Sequence, residues 1–143
     1  MPSPVDVTAA QLRLAVGQLV RRLRAETAAA GGLPVPQAAV LGWLDREGPM
    51  TTAQLAAVQS VRHQSTARVV GQLVDQGMVT LAPHPEDGRK VVVSLAPSGG
   101  SALQHQREER VGWLADAMAD RLSVAEQRIL AQAAPLLLRL VEG

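Results

Sequence analysis

The side chains of this chain best suited to chemistry are hydrogen-bonding groups rather than nucleophiles. Gln64, Arg68 and Gln72 recur at i, i+4 and i+8, so a helix places them on one ridge. Ser65, Ala67 and Gly71 flank them and are small enough to admit another surface closely. Arg and Gln each offer paired hydrogen-bonding atoms that match purine edges, and an α-helix fits the B-DNA major groove. Arg62 and His63 stand at the start of the same segment, and Thr51 precedes the helix before it. Glu47 and Asp75 are consecutive acidic residues, so no carboxylate lies from Gly48 to Val74. A phosphate-facing surface needs this local clearing more than a high overall charge. Further on, Asp87-Gly88-Arg89-Lys90 gathers a carboxylate, a guanidinium and an ammonium at a turn.

Covalent and metal chemistry are poorly served. The chain has no cysteine, which excludes disulfides, thiol catalysis, thiol redox sensing and cysteine-ligated zinc. Its three histidines are dispersed, and it has neither a phosphate-binding glycine loop nor a metal-ligand spacing. An enzyme and a bound cofactor are therefore not expected. Trp43 and Trp113 are its only aromatics, which argues against stacking single-stranded bases. Fourteen basic and 13 acidic residues give a formal net charge of +1, so bulk charge cannot hold nucleic acid. No apolar run reaches the ~18 residues of a membrane span. The opening MPSPVDVT has no signal-peptide pattern. A soluble cytoplasmic protein without membrane partners is the expectation.

The elements follow from periodicity across 143 residues, a length for one domain with or without a helical appendage. Leu12, Val16, Leu19 and Leu23 mark a helix over 6–30, with Thr8 as its N-cap and Gly31-Gly32 as its stop. Pro36 opens a second helix through Val40, Trp43 and Leu44, ending near Gly48-Pro49. A short third helix follows Met50-Thr51 with Leu55, Ala56 and Val58 as its apolar positions. The fourth spans 63–76, its inner face being Thr66, Val69, Val70 and Leu73, with Gly77 as left-handed cap. Then the period changes. Met78 to Leu81 and Lys90 to Leu95 read as strands joined by a polar, Asp-Gly-containing turn. Pro97 opens a long helix through Leu103, Val111, Leu114 and Met118. Ser123 with Glu126 forms a capping box that starts the last helix, with Ile129, Leu130, Ala133, Leu137 and Leu140 on one stripe.

Two helices joined by a tight turn and followed by a hairpin define a winged helix-turn-helix. The expected fold is mainly α with a small β-hairpin wing, the core at 33–96 being flanked by helices at 1–32 and 97–143. Those flanking helices carry apolar stripes that so small a core cannot cover. A homodimer covers them and sets two recognition helices on one double-stranded DNA. A winged helix serving only protein contacts is the competing interpretation.

The stretch from Pro36 to Gly99 resembles the DNA-binding core of MarR-type (multiple antibiotic resistance regulator) transcription factors. The sharpest match is Pro83-His84-Pro85-Glu86-Asp87-Gly88-Arg89, then Val93-Ser94-Leu95, then Pro97 and Gly99. Arg62-x-Gln64-Ser65 and Leu73 with Gly77-Met78-Val79 also look like that family. The resemblance implies a homodimeric repressor reading a palindromic operator, with helix 63–76 in the major groove and the 82–90 wing in the minor groove. On this basis Thr51, Arg62, His63, Gln64, Ser65, Arg68, Gln72, Asp87, Arg89 and Lys90 are the candidate DNA contacts. Asp87 is then the partner that orients Arg89 through a bidentate pair. The resemblance also implies release by a small aromatic or anionic effector, for which Trp43, His105, Arg107 and Trp113 are candidates by position. Two residues depart from the family pattern. Ala96 stands where Thr is common, at a cost of about 1 kcal/mol for a lost cap. His63 stands where Pro often begins the recognition helix.

Overall fold

The computed structural model describes residues 1–142. Helix α1 spans Pro4–Ala29. Its start is set by Ser3 rather than Thr8. The Ser3 amide and hydroxyl both donate to Asp6 Oδ2 (2.9 and 2.7 Å), and the Asp6 amide donates to Ser3 Oγ (3.2 Å). This reciprocal cap satisfies amides that a helix beginning later would leave elsewhere, and Pro4 suits the first helical position. Thr8 lies within the helix and donates to the Pro4 carbonyl (3.0 Å).

Helix α2 (Val35–Glu47) carries a proline in its first turn and ends at Gly48, whose φ is 80°. Strand β1 (Met50–Thr51) leads into α3 (Thr52–Gln59) and then α4 (His63–Asp75). Thr51 caps α3: its hydroxyl oxygen accepts from the Gln54 amide (3.1 Å), and its own amide donates to Gln54 Oε1 (2.9 Å). On α3, Leu55 and Ala56 are buried, whereas Val58 is exposed, because a two-turn helix has only one face against the core. Past α4 the chain reverses at Gly77 (φ 72°). There the amides of Gly77 and Met78 bond to the carbonyls of Val74 and Leu73 (both 2.9 Å).

Strands β2 (Val79–Pro83) and β3 (Val91–Leu95) pair antiparallel from Val79 opposite Leu95 to Pro83 opposite Val91. The sequence predicts a two-stranded hairpin, but β1 adds a third strand on the far side of β3, with Met50 opposite Val93. Two residues are too few to show an alternation, so this strand has no signature of its own. Val40, Leu41 and Leu44 from α2 meet Leu55, Val70, Leu73, Val79, Val93 and Leu103 in one core. Helix α5 (Pro97–Arg121) starts against the α4–β2 turn. The Ala96 amide donates to the Met78 carbonyl (3.0 Å) and Ser98 Oγ to the Gly77 carbonyl (2.6 Å). Gly99 is required here, since a Cβ would collide with the Met78 carbonyl oxygen.

Helix α6 (Val124–Val141) follows the expected Ser123–Glu126 capping box and continues through Pro135. The chain forms two compact units, Arg24–Glu108 and Met1–Leu23 with the residues from Glu109 onward. The first contains the three-stranded sheet and the core just described. In the second, α6 buries none of its side chains, and Leu12, Val16, Leu19, Ile129, Leu130, Leu137 and Leu140 are exposed. Among the described residues no helix is long and apolar enough to cross a membrane.

Candidate nucleic-acid interface

Helix α4 is two-faced. Thr66, Val70 and Leu73 are buried and Val69 is half-buried, so the core fixes its rotation. Gln64, Ser65 and Arg68 are consequently exposed, and among the described residues their side chains have no hydrogen-bond or ion-pair partner. Arg62 occupies the N-cap position without capping through its side chain, which leaves the guanidinium to other contacts. Gln72 differs from its ridge neighbours. Its Oε1 accepts from Nε2 of the buried Gln37 on α2 (3.3 Å). That contact turns the acceptor inward and leaves the amide's donors for a ligand.

The wing turn, residues 84–90, is closed by its own hydrogen bonds. The His84 amide donates to the Lys90 carbonyl (2.9 Å) and the Lys90 amide to the Asp87 carbonyl (3.0 Å). Asp87 Oδ1 accepts from both the Arg89 amide (3.1 Å) and Arg89 Nε (3.2 Å). This is not the two-oxygen guanidinium pair expected. One oxygen takes both donors because a two-residue separation brings the amide and Nε to the same side. The Arg89 guanidinium is held at its base, and its side chain is 92% exposed. The Arg89 side-chain hydrogen bond, followed by the one from its amide, holds the Asp87 carboxyl below the usual carboxylate range.

Sequence reasoning missed His84. Its Nδ1 accepts from the amides of Glu86 (3.1 Å) and Asp87 (3.2 Å). The signal was a side-chain acceptor at the first position of a His-Pro-Glu-Asp turn, the place where Asn or Asp caps a turn. Thr51, His63, Arg89 and Lys90 come together with Gln54 and His84 around a groove of about 420 Å³. These four candidate DNA-binding residues thus share one concavity between the start of α3, the start of α4 and the base of the wing.

The effector candidates are engaged within the chain. Trp43 lies under the Arg46 guanidinium, 4.9 Å from the ring centre. Arg107 Nη1 pairs with Asp45 Oδ2 at 3.0 Å. His105 is exposed on α5. Trp113 belongs to the other compact unit, where Arg22 stacks on it at 5.2 Å. Beside Arg107, the buried Gln106 accepts the Leu33 amide (2.8 Å) and ties α5 to the segment before α2. Among the described residues, no cluster of His, Cys, Asp or Glu could hold a metal ion.

A core-held helix with an acid-free polar ridge, preceded by a tight turn and followed by a cationic β-wing, defines a winged helix-turn-helix DNA-binding protein. The family model of the MarR family matches residues 31–90. The chain is 41% identical over 134 residues to an HTH-type transcriptional regulator of Mycobacterium tuberculosis, covering 94% of this chain and 92% of that one. A Mycobacterium leprae HTH-type regulator is 37% identical over the same length, with the same coverage of both chains. A crystal structure of a transcriptional regulator from Pseudomonas aeruginosa matches with a TM-score of 0.83 at 33% identity, covering 99% of each chain. This chain belongs to the MarR family of transcriptional regulators. The family and these relatives are regulators, not enzymes.

Proposed function

We propose that the protein is a cytoplasmic, homodimeric repressor that reads a palindromic operator, with α4 in the major groove and the 82–90 wing in the minor groove. The observation that carries this is the rotation of α4. Its buried face leaves Gln64, Ser65 and Arg68 together on an exposed face bearing no carboxylate before Asp75. Thr51, Arg62 and His63 supply phosphate contacts at the helix starts, and Lys90 adds a point charge. Arg89 suits a narrow minor groove, where negative potential is concentrated. The unburied apolar stripe of α6 supports the dimer.

Release by a small aromatic or anionic molecule is the regulatory half of the proposal. An anion taken by Arg107 would displace Asp45, and an aromatic ring at Trp43 would compete with Arg46. The test is to mix purified full-length protein with fragmented genomic DNA and sequence what it retains. An enriched inverted repeat, with half-sites about one helical turn (~10 bp) apart, is expected. Retention without sequence enrichment, or none at all, would instead identify a winged helix used for protein contacts.

A further inference from the structure

One imidazole closes the wing turn. His84 Nδ1 receives the amides of Glu86 and Asp87 at 3.1 and 3.2 Å. Asp87 then receives the Arg89 amide and Nε. A continuous set of hydrogen bonds therefore runs from the imidazole, through the Asp87 backbone and carboxylate, to the guanidinium. An imidazole nitrogen accepts a hydrogen bond only while it carries no proton. The arrangement thus requires a neutral ring with its hydrogen on Nε2. Protonation would place an N–H where two amide hydrogens already point, and both hydrogen bonds would break together.

We propose that His84 is the positioning residue of the wing: its neutral imidazole holds Asp87 and Arg89 in the DNA-reading arrangement, and its imidazolium releases them. The inference rests on the wing's placement in the minor groove under the proposed function. Adding a proton to the ring would therefore loosen the wing.

The surroundings make the sign of the response testable. On the turn itself the charged neighbours are Glu86, Asp87, Arg89 and Lys90. Asp87 is held below the carboxylate range by Arg89 and stays ionised through mild acid. Across the groove, the start of α3 contributes Thr51, Thr52, Ala53 and Gln54, none of which titrates there. Helix α4 contributes His63. A proton on His63 adds a cation near phosphate and favours binding as pH falls. The two histidines of the groove therefore drive opposite pH dependences, and removing His63 isolates His84.

Two measurements on the full chain decide the matter. Nitrogen NMR of the free protein at pH 8 should show His84 Nδ1 unprotonated, with the Glu86 and Asp87 amides shifting as the ring titrates. Operator affinity is then measured at one fixed salt concentration from pH 8 to pH 5.5 in a His63→Gln background. There the affinity should fall by about three- to tenfold, the scale of one net hydrogen bond. His84→Asn offers an acceptor oxygen in the same place without titrating, so it should keep the pH 8 affinity and show a flat profile. His84→Ala should be weak and flat. A proton on Nδ1 at pH 8 overturns the proposal. So does affinity that rises on acidification and no longer rises in His84→Ala, which would make His84 a phosphate contact. If Arg89→Ala binds normally at pH 8, the minor-groove placement fails instead, and the NMR result still decides the role of His84 in the turn.

Discussion

Arg68 carries the sharpest expectation of any single residue. It is exposed at the middle of the α4 ridge, and among the described residues its guanidinium has no partner. Arg68→Ala should weaken operator binding by about 1–3 kcal/mol for each base that the guanidinium reads. It should also relax the preferred base at one position in each half-site. Arg121→Ala, at the end of α5, should change neither the operator affinity nor the base preference when both variants are measured at one fixed salt concentration. Asp87 and Arg89 give a second test. Removing an acid near DNA should tighten binding by charge alone, yet Asp87 holds Arg89 at 3.2 Å. Asp87→Ala should therefore weaken binding, and its effect should be non-additive with Arg89→Ala in a double-mutant cycle at fixed salt. Tighter binding by Asp87→Ala would make the carboxylate a bystander. The spacing of Gln64, Arg68 and Gln72 revealed the ridge, because helical geometry alone puts them in line. It could not reveal that Gln72 is tied to Gln37, 35 residues earlier, since that hydrogen bond exists only once α2 packs on α4. His84 escaped notice for a related reason: a turn's side-chain acceptor is recognised by where it points, not by residue type.

At the scale of elements, the helices and their stops were readable where caps and glycines are chemically distinctive. Gly48, Gly77 and the Ser123–Glu126 box lie where the sequence places them. The misplaced start of α1 shows two caps in competition: Ser3 with Asp6 offers reciprocal bonds and Thr8 does not. Strand β1 was unreadable because its pairing partner, β3, lies far along the chain and two residues carry no period. The capping carboxylates predict a pH dependence. Hydrogen bonds from Ser3 and Ser123 hold Asp6 and Glu126 below their ordinary values. On acidification the unfolded chain takes up these protons first. The stability from each cap is thus present above the ordinary carboxylate range and is lost as pH falls through the depressed value. Glu126→Gln should lower Tm at pH 7, and the difference should narrow below about pH 4, where the carboxylate that accepts the Ser123 amide is protonated in the native protein. Gly99 predicts the opposite kind of effect, independent of pH. A Cβ there meets the Met78 carbonyl, which is backbone and cannot swing away. Gly99→Ala should destabilise by about 1–3 kcal/mol in denaturant unfolding by forcing the start of α5 off the α4–β2 turn.

For the whole molecule, charge and apolar surface both bear on the proposed homodimer. A net charge of +1 on 143 residues gives one chain little general attraction for DNA. The side chains that can meet DNA are local, on α4 and the wing, and two copies double them. In the proposed homodimer, α6 supplies the means of pairing. It begins with a well-formed cap and yet buries none of its side chains, with Ile129 61%, Leu138 62% and Leu140 76% exposed. A substitution at such a position costs the isolated chain almost nothing, so any deficit it causes belongs to association. Leu140→Asp should leave the helical content and Tm of the monomeric unit intact while shifting light scattering from dimer to monomer at micromolar concentration. Truncation after Ala134, which removes Leu136 to Val141, should give a monomeric or aggregating product. DNA binding then supplies the decisive number. The logarithm of affinity falls with the logarithm of salt by about 0.9 for each phosphate neutralised. A dimer engaging two half-sites should show twice the slope of the Leu140→Asp monomer. A full-length chain that scatters as a monomer, or a Leu140→Asp variant that retains both the dimer mass and the full slope, would remove α6 from the interface and leave its apolar stripe without that role.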